Sequence, residues 1–419
     1  MPNRMKKKLL IINGAGASLE FGIPSVGAIN IMMEEWSREI YPLIADPTKG
    51  LYAWVREKLG EYSRPGHNNR MENILNFENV LFTMQMLSEL EKDKRLKHLN
   101  NRMNAFVSVE PLPEIQKYGL RQDSNGDDLS TVHSTLIDRL LLHMREICKD
   151  LMSVKQAEVE YLRGMLGRLK EEFDLGVINL NYDNVILLAM PELRTGFDPA
   201  TGEFDRAEIY ENAWNFCYHL HGSVHFDMKG HAADMHRIYW NSDLHSSFAQ
   251  NSGGRSQFFT GEGFWHLNSN IIAGLDKANQ VLRQPFAQYF MQLDRLAYES
   301  DAILFCGYGF NDWHLNRIFP FIRSDSSKTR KVVVLDWASD TQDGLVSRHD
   351  GWSFGLFGTV PFNGNEMGDG KPHSFEPAAY FKNSNTLEKS CNPQLPLAVW
   401  YNGLMQACQY VDLILAELY

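Results

Sequence analysis

The stretch that decides the fold is Leu9-Leu10-Ile11-Ile12-Asn13-Gly14-Ala15-Gly16-Ala17-Ser18, followed by Leu19-Glu20-Phe21-Gly22-Ile23-Pro24. Four consecutive apolar residues predict a short strand that is buried on both faces. Gly14 and Gly16 have no side chain, so a bound group can approach the backbone, and free N–H groups together with Ser18 suit a pyrophosphate. The third glycine of the usual GxGxxG pattern is missing, since position 19 is leucine. A tight turn without a ligand is the alternative interpretation.

Further strands and helices alternate along the chain. Apolar runs predict buried strands at 176–180, 301–306 and 331–336, and a less regular strand is expected at 214–220. Helical spacing of apolar residues predicts helices at 28–41, 71–99, 131–152, 154–173, 284–298 and 397–418. Residues 100–130 are expected to form a loop. This alternation predicts an α/β fold with a Rossmann-like doubly wound parallel sheet.

The order of these elements suggests three parts. Residues 1–27 and 173–337 are expected to form the Rossmann-like core, and residues 28–172 a large, mainly helical insertion. Residues 338–419 change composition towards Gly, Asn, Ser and Pro, and are expected to be a C-terminal extension of loops and a terminal helix.

Composition narrows the class of protein. The 419 residues carry a formal net charge of −11, which argues against a protein whose main task is binding a nucleic-acid backbone. The five cysteines are scattered without a CxxC pair, so neither a disulfide framework nor a thiolate zinc site is expected. Apolar runs stay far below the ~20 residues that span a bilayer. We therefore expect a cytoplasmic protein with no membrane segment.

Polar clusters follow the predicted strands, and carboxyl strand ends face the ligand crevice in open α/β sheets. Asn181 and Asp183 follow the second strand, although a turn or a helix cap is the more common role for these residue types. His221, followed by Gly222, lies where a general base is plausible at neutral pH. A buried structural imidazole is one alternative. A metal site is the other, built from His219, His221 and His225 with His231 or His236.

The last two predicted strands end in similar clusters. Gly307 and Gly309 form a second Gly-x-Gly that offers backbone donors to a phosphate or ribose. Asp336 ends the following strand, where an acidic residue can accept ribose hydroxyls, and a plain loop carboxylate is the alternative.

Taken in chain order, these motifs resemble the sirtuin superfamily. Its NAD motif has the form GAGxSxxxGIP, and every defined position is matched by Gly14, Ala15, Gly16, Ser18, Gly22, Ile23 and Pro24. The family's Asn-x-Asp matches Asn181 and Asp183, its catalytic His-Gly matches His221-Gly222, and the glycine of its later Gly-Thr-Ser matches Gly307. Phe77-Glu78 also resembles a pair in prokaryotic sirtuin-like proteins. The resemblance covers about residues 8–337.

The departures from the sirtuin pattern concern the side of the site that would bind the acyl-lysine of a protein substrate. Ser25-Val26-Gly27 replaces the Asp-Phe-Arg of deacylases, Leu180 replaces a glutamine, and Gly309 stands where serine is usual. The four-cysteine zinc module is absent from the sequence, so no zinc is expected. The NAD-binding side of the pattern is kept, and in this combination the sequence resembles the NAD hydrolases of prokaryotic antiphage defence.

The resemblance implies a reaction, NAD⁺ hydrolysis at the nicotinamide–ribose bond, and roles for its residues. Gly14–Ser18 would hold the pyrophosphate, Asn181 would orient the ribose and water, Asp183 would stabilise positive charge, and His221 would accept a proton. The alternative is a subunit that senses NAD or ADP-ribose beside a HerA-type ATPase. Deacylase, dehydrogenase and nuclease activities fit the motifs less well. A homo-oligomer is expected, with the helix at 397–418 either packed on its own domain or used for self-association.

Overall fold

The computed structural model describes residues 6–62, 75–95, 111–211, 213–228, 237–246, 257–259, 265–267, 270–272, 283–323, 325, 327–362, 367 and 376–419. His231, His236 and both ends of the helix expected at 71–99 lie outside these residues.

The strands follow one another along the chain as β1 Lys7–Asn13, β2 Glu114–Lys117, β3 Leu120–Asp123, β4 Phe173–Asn179, β5 Phe216–His219, β6 Phe226–Met228, β7 Ile238–Trp240, β8 Gln257–Phe259, β9 Trp265–Leu267, β10 Ala302–Cys306, β11 Lys331–Leu335, β12 Glu388–Lys389 and β13 Leu397–Trp400. Seven of them form one sheet in the order β12-β13-β11-β10-β1-β4-β5. All neighbours are parallel except β12, which is an antiparallel edge strand.

Numbered along the chain, the six parallel strands lie in the order 6-5-4-1-2-3. This is the strand order of the dinucleotide-binding Rossmann fold. The order reverses between β1 and β10, and such a switch point leaves a crevice at the carboxyl ends of the two strands. The predicted α/β fold with a doubly wound parallel sheet is therefore confirmed.

The helices cover both faces of the sheet. They are α1 Val26–Ile40, α2 Leu51–Tyr62, α3 Phe77–Arg95, α4 Gly126–Lys149, α5 Leu151–Val154, α6 Gln156–Glu172, α7 Val185–Ala189, α8 Arg206–Tyr210, α9 Phe286–Glu299, α10 Trp313–Asn316, α11 Phe319–Arg323, α12 Gly351–Thr359, α13 Ala378–Ser384, α14 Leu404–Gln409 and α15 Val411–Leu418. Because side chains alternate along a strand, Leu9 and Ile11 of β1 enter one hydrophobic core while Leu10 and Ile12 enter the other.

The segment between β1 and β4 is mainly helical and holds α1 to α6. The part of the expected loop at 100–130 that is described contains the antiparallel hairpin β2–β3. Asn125 then begins α4 with a capping box, since its side chain accepts from the backbone of Asp128 and that carboxylate accepts from the Asn125 N–H. Among the described residues, no helix is long and apolar enough to cross a membrane.

The prediction of a single helix over 397–418 is wrong at its start. Leu397–Trp400 is β13, a buried strand that pairs with β11, and the helices begin only at Leu404. Leu397 and Val399 pack in one core, whereas Ala398 and Trp400 pack in the other. A short apolar run without alternation fits a strand covered on both faces as well as it fits a helix. Residues 338–419 thus contribute the sixth parallel strand of the sheet.

Candidate active site at the switch point

Two glycine turns interlock where the strand order reverses. After β1, the Gly14 N–H donates to Cys306 O at 2.9 Å, and the Gly16 N–H donates to Gly307 O at 2.9 Å. Gly307 has a φ of +54°, and a Cβ built on it would lie 1.9 Å from Ala17 N. Cβ atoms on Gly14 and Gly16 would each lie 2.8 Å from Gly307 O. These glycines therefore let the two turns touch, and the N–H groups of Gly14 and Gly16 are engaged with the protein.

The turn after β1 continues as a 3₁₀ helix, Ala15–Phe21, rather than directly as an α-helix. Gly22 ends it in the left-handed region at φ +86°, where glycine is favoured. Ile23 is buried, Pro24 is half-buried, and Ser25 then caps α1 by accepting from the Ala28 N–H. The GIP residues thus position α1 beneath the turn, while Ala15 is exposed and Ser18 is buried.

Buried asparagines connect the carboxyl ends of β1 and β4. Asn13 Nδ2 donates to Asn179 Oδ1 at 3.0 Å, and the same oxygen accepts from the Asn181 N–H at 3.2 Å. Asn181 Nδ2 donates to Gly14 O and to Ser18 Oγ, both at 2.9 Å. Buried polar groups require partners, and here the partners join motifs that are more than 160 residues apart. The structure thus brings Asn181 against the glycine turn.

Asp183 is fully buried, and its Oδ1 accepts from the N–H of Val185, the first residue of α7, at 3.1 Å. Burial raises the pKa of the Asp183 carboxyl, and hydrogen bonding from Ser18 and from the Val185 backbone opposes that rise. Asn184, rather than Asp183, is the residue at the cap position of α7. The carboxyl still faces Ser18, which belongs to the first motif.

His221 meets a carboxylate from the other half of the sheet. Its Nε2 lies 3.0 Å from Oδ2 of Asp312, and the two side chains are only 10% and 9% exposed. His221 follows β5, whereas Asp312 follows β10, and β4 and β1 lie between these strands. The pair therefore spans the carboxyl ends of β4 and β1. From the sequence, Asp312 is assigned no role, although it follows the Gly307-x-Gly309 pattern by three residues.

The neighbouring histidines are held by other groups. His219 is completely buried, with Nδ1 3.4 Å from Asn179 Nδ2, and burial lowers its pKa to about 3. His225 Nδ1 lies 2.8 Å from Asn241 O, its ring stacks on Trp240, and burial lowers its pKa to about 4. Both rings are neutral at pH 7. Among the described residues, no group of three His, Cys, Asp or Glu side chains is arranged to hold a metal ion.

The remaining predicted contacts lie on the β10 and β11 side. Gly309 sits in the loop after Gly307 without a left-handed backbone. Asp336 follows β11, and its Oδ2 accepts from Arg348 Nη1 at 3.0 Å. Burial raises the pKa of Asp336, and the Arg348 guanidinium opposes the rise. A ribose at Asp336 would therefore share this carboxylate with Arg348.

A cavity of about 690 Å³ is lined in part by residues that follow β4 and β5. Asn184, which follows Asp183, lines it together with Arg194, His225 and Trp240. Its walls mix cations, carboxylates and apolar groups, so its chemistry alone selects no ligand.

Comparison with known proteins finds one family of domains to which part of the chain is similar. Residues 176–350 match the family model of the SIR2-like domain, a range that includes Asn181, His221 and Asp312 but not the turn at 14–24. Curated proteins give no match.

Solved structures that resemble the chain carry sirtuin titles. The structure titled "Structure of Sir2Tm bound to a propionylated peptide" is 12% identical, with 80% of this chain and 83% of that chain covered and a TM-score of 0.33. The structure titled "Sir2-p53 peptide-NAD+" is also 12% identical, with the same coverage and a TM-score of 0.29.

Proposed function

We propose that this protein is an NAD⁺ glycohydrolase that cleaves the nicotinamide–ribose bond and releases nicotinamide and ADP-ribose. The observation that carries the proposal is that Asn181 contacts the glycine turn and that His221 pairs with Asp312 at the carboxyl edge of the same sheet, which has Rossmann strand order. In open α/β sheets, ligands bind outside the carboxyl ends of the strands.

Cleavage of the nicotinamide–ribose bond does not need a strong general acid. The leaving nicotinamide is a neutral pyridine, and the ribose passes through an oxocarbenium-like state that water captures. The reaction consumes one water and releases one proton. The site must therefore hold the dinucleotide, orient water and accept that proton.

The residues suit these tasks in different ways. Asn181 Nδ2 is engaged by Gly14 and Ser18 within the described residues, so the amide oxygen is the group left for a ribose hydroxyl or water. His221 supplies the proton acceptor, a role typically worth 10²–10⁴ in rate. The buried Asp183 supplies negative charge below the ribose when ionised. The pyrophosphate would lie along Gly14–Ser18 and the Gly307–Gly309 loop.

The test is chromatography of NAD incubated with the purified protein. Wild type is expected to release nicotinamide and ADP-ribose, and His221→Ala to lose at least about a hundredfold in rate while it remains folded. His245→Ala is the matched control, since this histidine lies outside the predicted motifs. Equal turnover by wild type and folded His221→Ala protein would remove the assignment.

We also propose a biological role as an antiphage effector that depletes NAD. The motif resemblance supports this role, with a homo-oligomer and a HerA-type ATPase as proposed partners. Infected cells expressing wild type should lose NAD and produce fewer phages. Infected cells expressing His221→Ala should retain their NAD and produce phages in undiminished yield. A chain that binds NAD tightly without turnover, alone and with the ATPase, would instead favour the sensing subunit.

A further inference from the structure

We propose that Asp312 is a positioning residue that holds His221 in the tautomer with its proton on Nε2, so that Nδ1 is the proton acceptor. This inference rests on the proposed function for its catalytic consequence, but the tautomer itself can be measured without any turnover.

The first argument is the chemistry of the contact. An ionised carboxylate only accepts hydrogen bonds, so an imidazole nitrogen 3.0 Å from Asp312 Oδ2 must carry a proton. A neutral imidazole has one N–H, and its other nitrogen then holds the lone pair. The carboxylate also stabilises the cation that forms when Nδ1 takes a proton.

The second argument is that the contact is long-range and buried. Neighbouring strands are about 4.8 Å apart, so β5 and β10 are separated by roughly 14 Å. The loops after both strands must lean over β4 and β1 for His221 and Asp312 to meet. With both side chains nearly excluded from water, the pair is screened far less than a surface ion pair.

The third argument is that hydrogen bonds hold the Asp312 loop in place. Asp312 Oδ1 caps α10 by accepting from the Leu315 N–H at 3.4 Å. Tyr308 Oη donates to Asn316 Oδ1 at 2.6 Å, and Asn316 Nδ2 donates to Phe310 O at 2.7 Å. Phe310 adopts φ +54°, a conformation that non-glycine residues rarely take. Such conformations persist where the surrounding structure enforces them, often at functional sites.

The decisive variant is Asp312→Asn. Asparagine caps helices about as well as aspartate, so the loop is expected to keep its fold. The amide can donate to Nε2 through its NH₂ group, which releases His221 from the single tautomer. We expect kcat for NAD to fall by roughly 10²–10⁴-fold while KM changes little, as removal of an orienting carboxylate does in other His–Asp pairs.

Two controls separate positioning from structure. Asp205→Asn alters a second capping aspartate, whose side chain accepts from Ala207 and Glu208, and it should leave kcat unchanged. Adding Asp312→Asn to His221→Ala should lower the residual rate no further, because a positioning residue acts only through its partner. A further loss in that background, or an equal loss for Asp205→Asn, would overturn the inference.

The direct readout is the ¹⁵N spectrum of histidine-labelled protein, with the His221 signals assigned by comparison with His221→Ala. Wild type should show protonated Nε2 and unprotonated Nδ1 for the neutral ring, and Asp312→Asn should show the other tautomer or a mixture. If wild type releases no nicotinamide, this spectrum still decides the inference. Protonated Nδ1 in wild type, or no change in Asp312→Asn, would contradict it.

Discussion

Gly307→Ala tests the interlocked turns at the switch point. A Cβ on Gly307 would lie 1.9 Å from Ala17 N and 2.4 Å from Gly16 C, and both neighbours are backbone atoms that cannot swing away. The left-handed φ of +54° adds about 1–2 kcal/mol for a residue with a Cβ, and overpacking adds about 1–3 kcal/mol. We therefore expect the free energy of unfolding to fall by roughly 2–5 kcal/mol.

Gly309→Ala is the matched substitution, two residues away in the same loop. Of the atoms that the structure describes, its Cβ would meet only Asn311 Nδ2 at 3.2 Å, the end of a flexible side chain, and its φ is not left-handed. We expect a change of less than about 1 kcal/mol. Urea unfolding followed by tryptophan fluorescence measures both variants against wild type. A cost for Gly307→Ala no greater than for Gly309→Ala would refute the close contact between the two turns.

Three further substitutions probe other parts of the structure. Asn181→Asp puts an acceptor against Gly14 O, so unfolding experiments should show a loss of about 1–3 kcal/mol, whereas an unchanged midpoint would contradict the bonds to Gly14 and Ser18. The pKa of His225 is lowered to about 4, so the unfolded chain binds a proton that the folded chain does not between about pH 6.5 and 4. The free energy of unfolding should therefore fall by up to about 1.4 kcal/mol for each unit by which the pH is lowered in this range. His225→Asn should remove this contribution. An equal pH dependence of the free energy of unfolding in wild type and variant would disprove it. In Gly167→Ala, the new Cβ in α6 meets no atom of the described residues within 4 Å, so a thermal melt should show a gain of about 0.5–1 kcal/mol, and destabilisation would contradict this packing.

The parallel core was predictable because its strands are short apolar runs that end in recognisable turns. The predicted strands at 9–12, 176–180, 301–306 and 331–336 overlap the observed strands β1, β4, β10 and β11, and their ends differ by at most three residues. Burial on both faces removes alternation and leaves a strong apolar signal. The final strand β13 gave the same signal, but the apolar residues after it continued at helical spacing and concealed the boundary.

The sequence predicted individual residues of the candidate site but not the contacts between them. The sequence indicated Asn181 and His221, since each follows an apolar run that a strand would bury. It could not indicate that Asp312 meets His221, because that contact depends on two loops that lean across two intervening strands. Likewise, the glycine pattern suggested backbone donors for a ligand, whereas in the structure the N–H groups of Gly14 and Gly16 bond to the turn after β10.

The central claim is that a dinucleotide lies across the carboxyl ends of β1, β4 and β5. A crystal structure of the His221→Ala variant soaked with NAD tests it most directly. We predict density for the nicotinamide ribose beside Asn181 and for the pyrophosphate along the glycine turns. Density in the cavity lined by Arg194 and Trp240, with the switch-point crevice filled by protein side chains, would contradict the account.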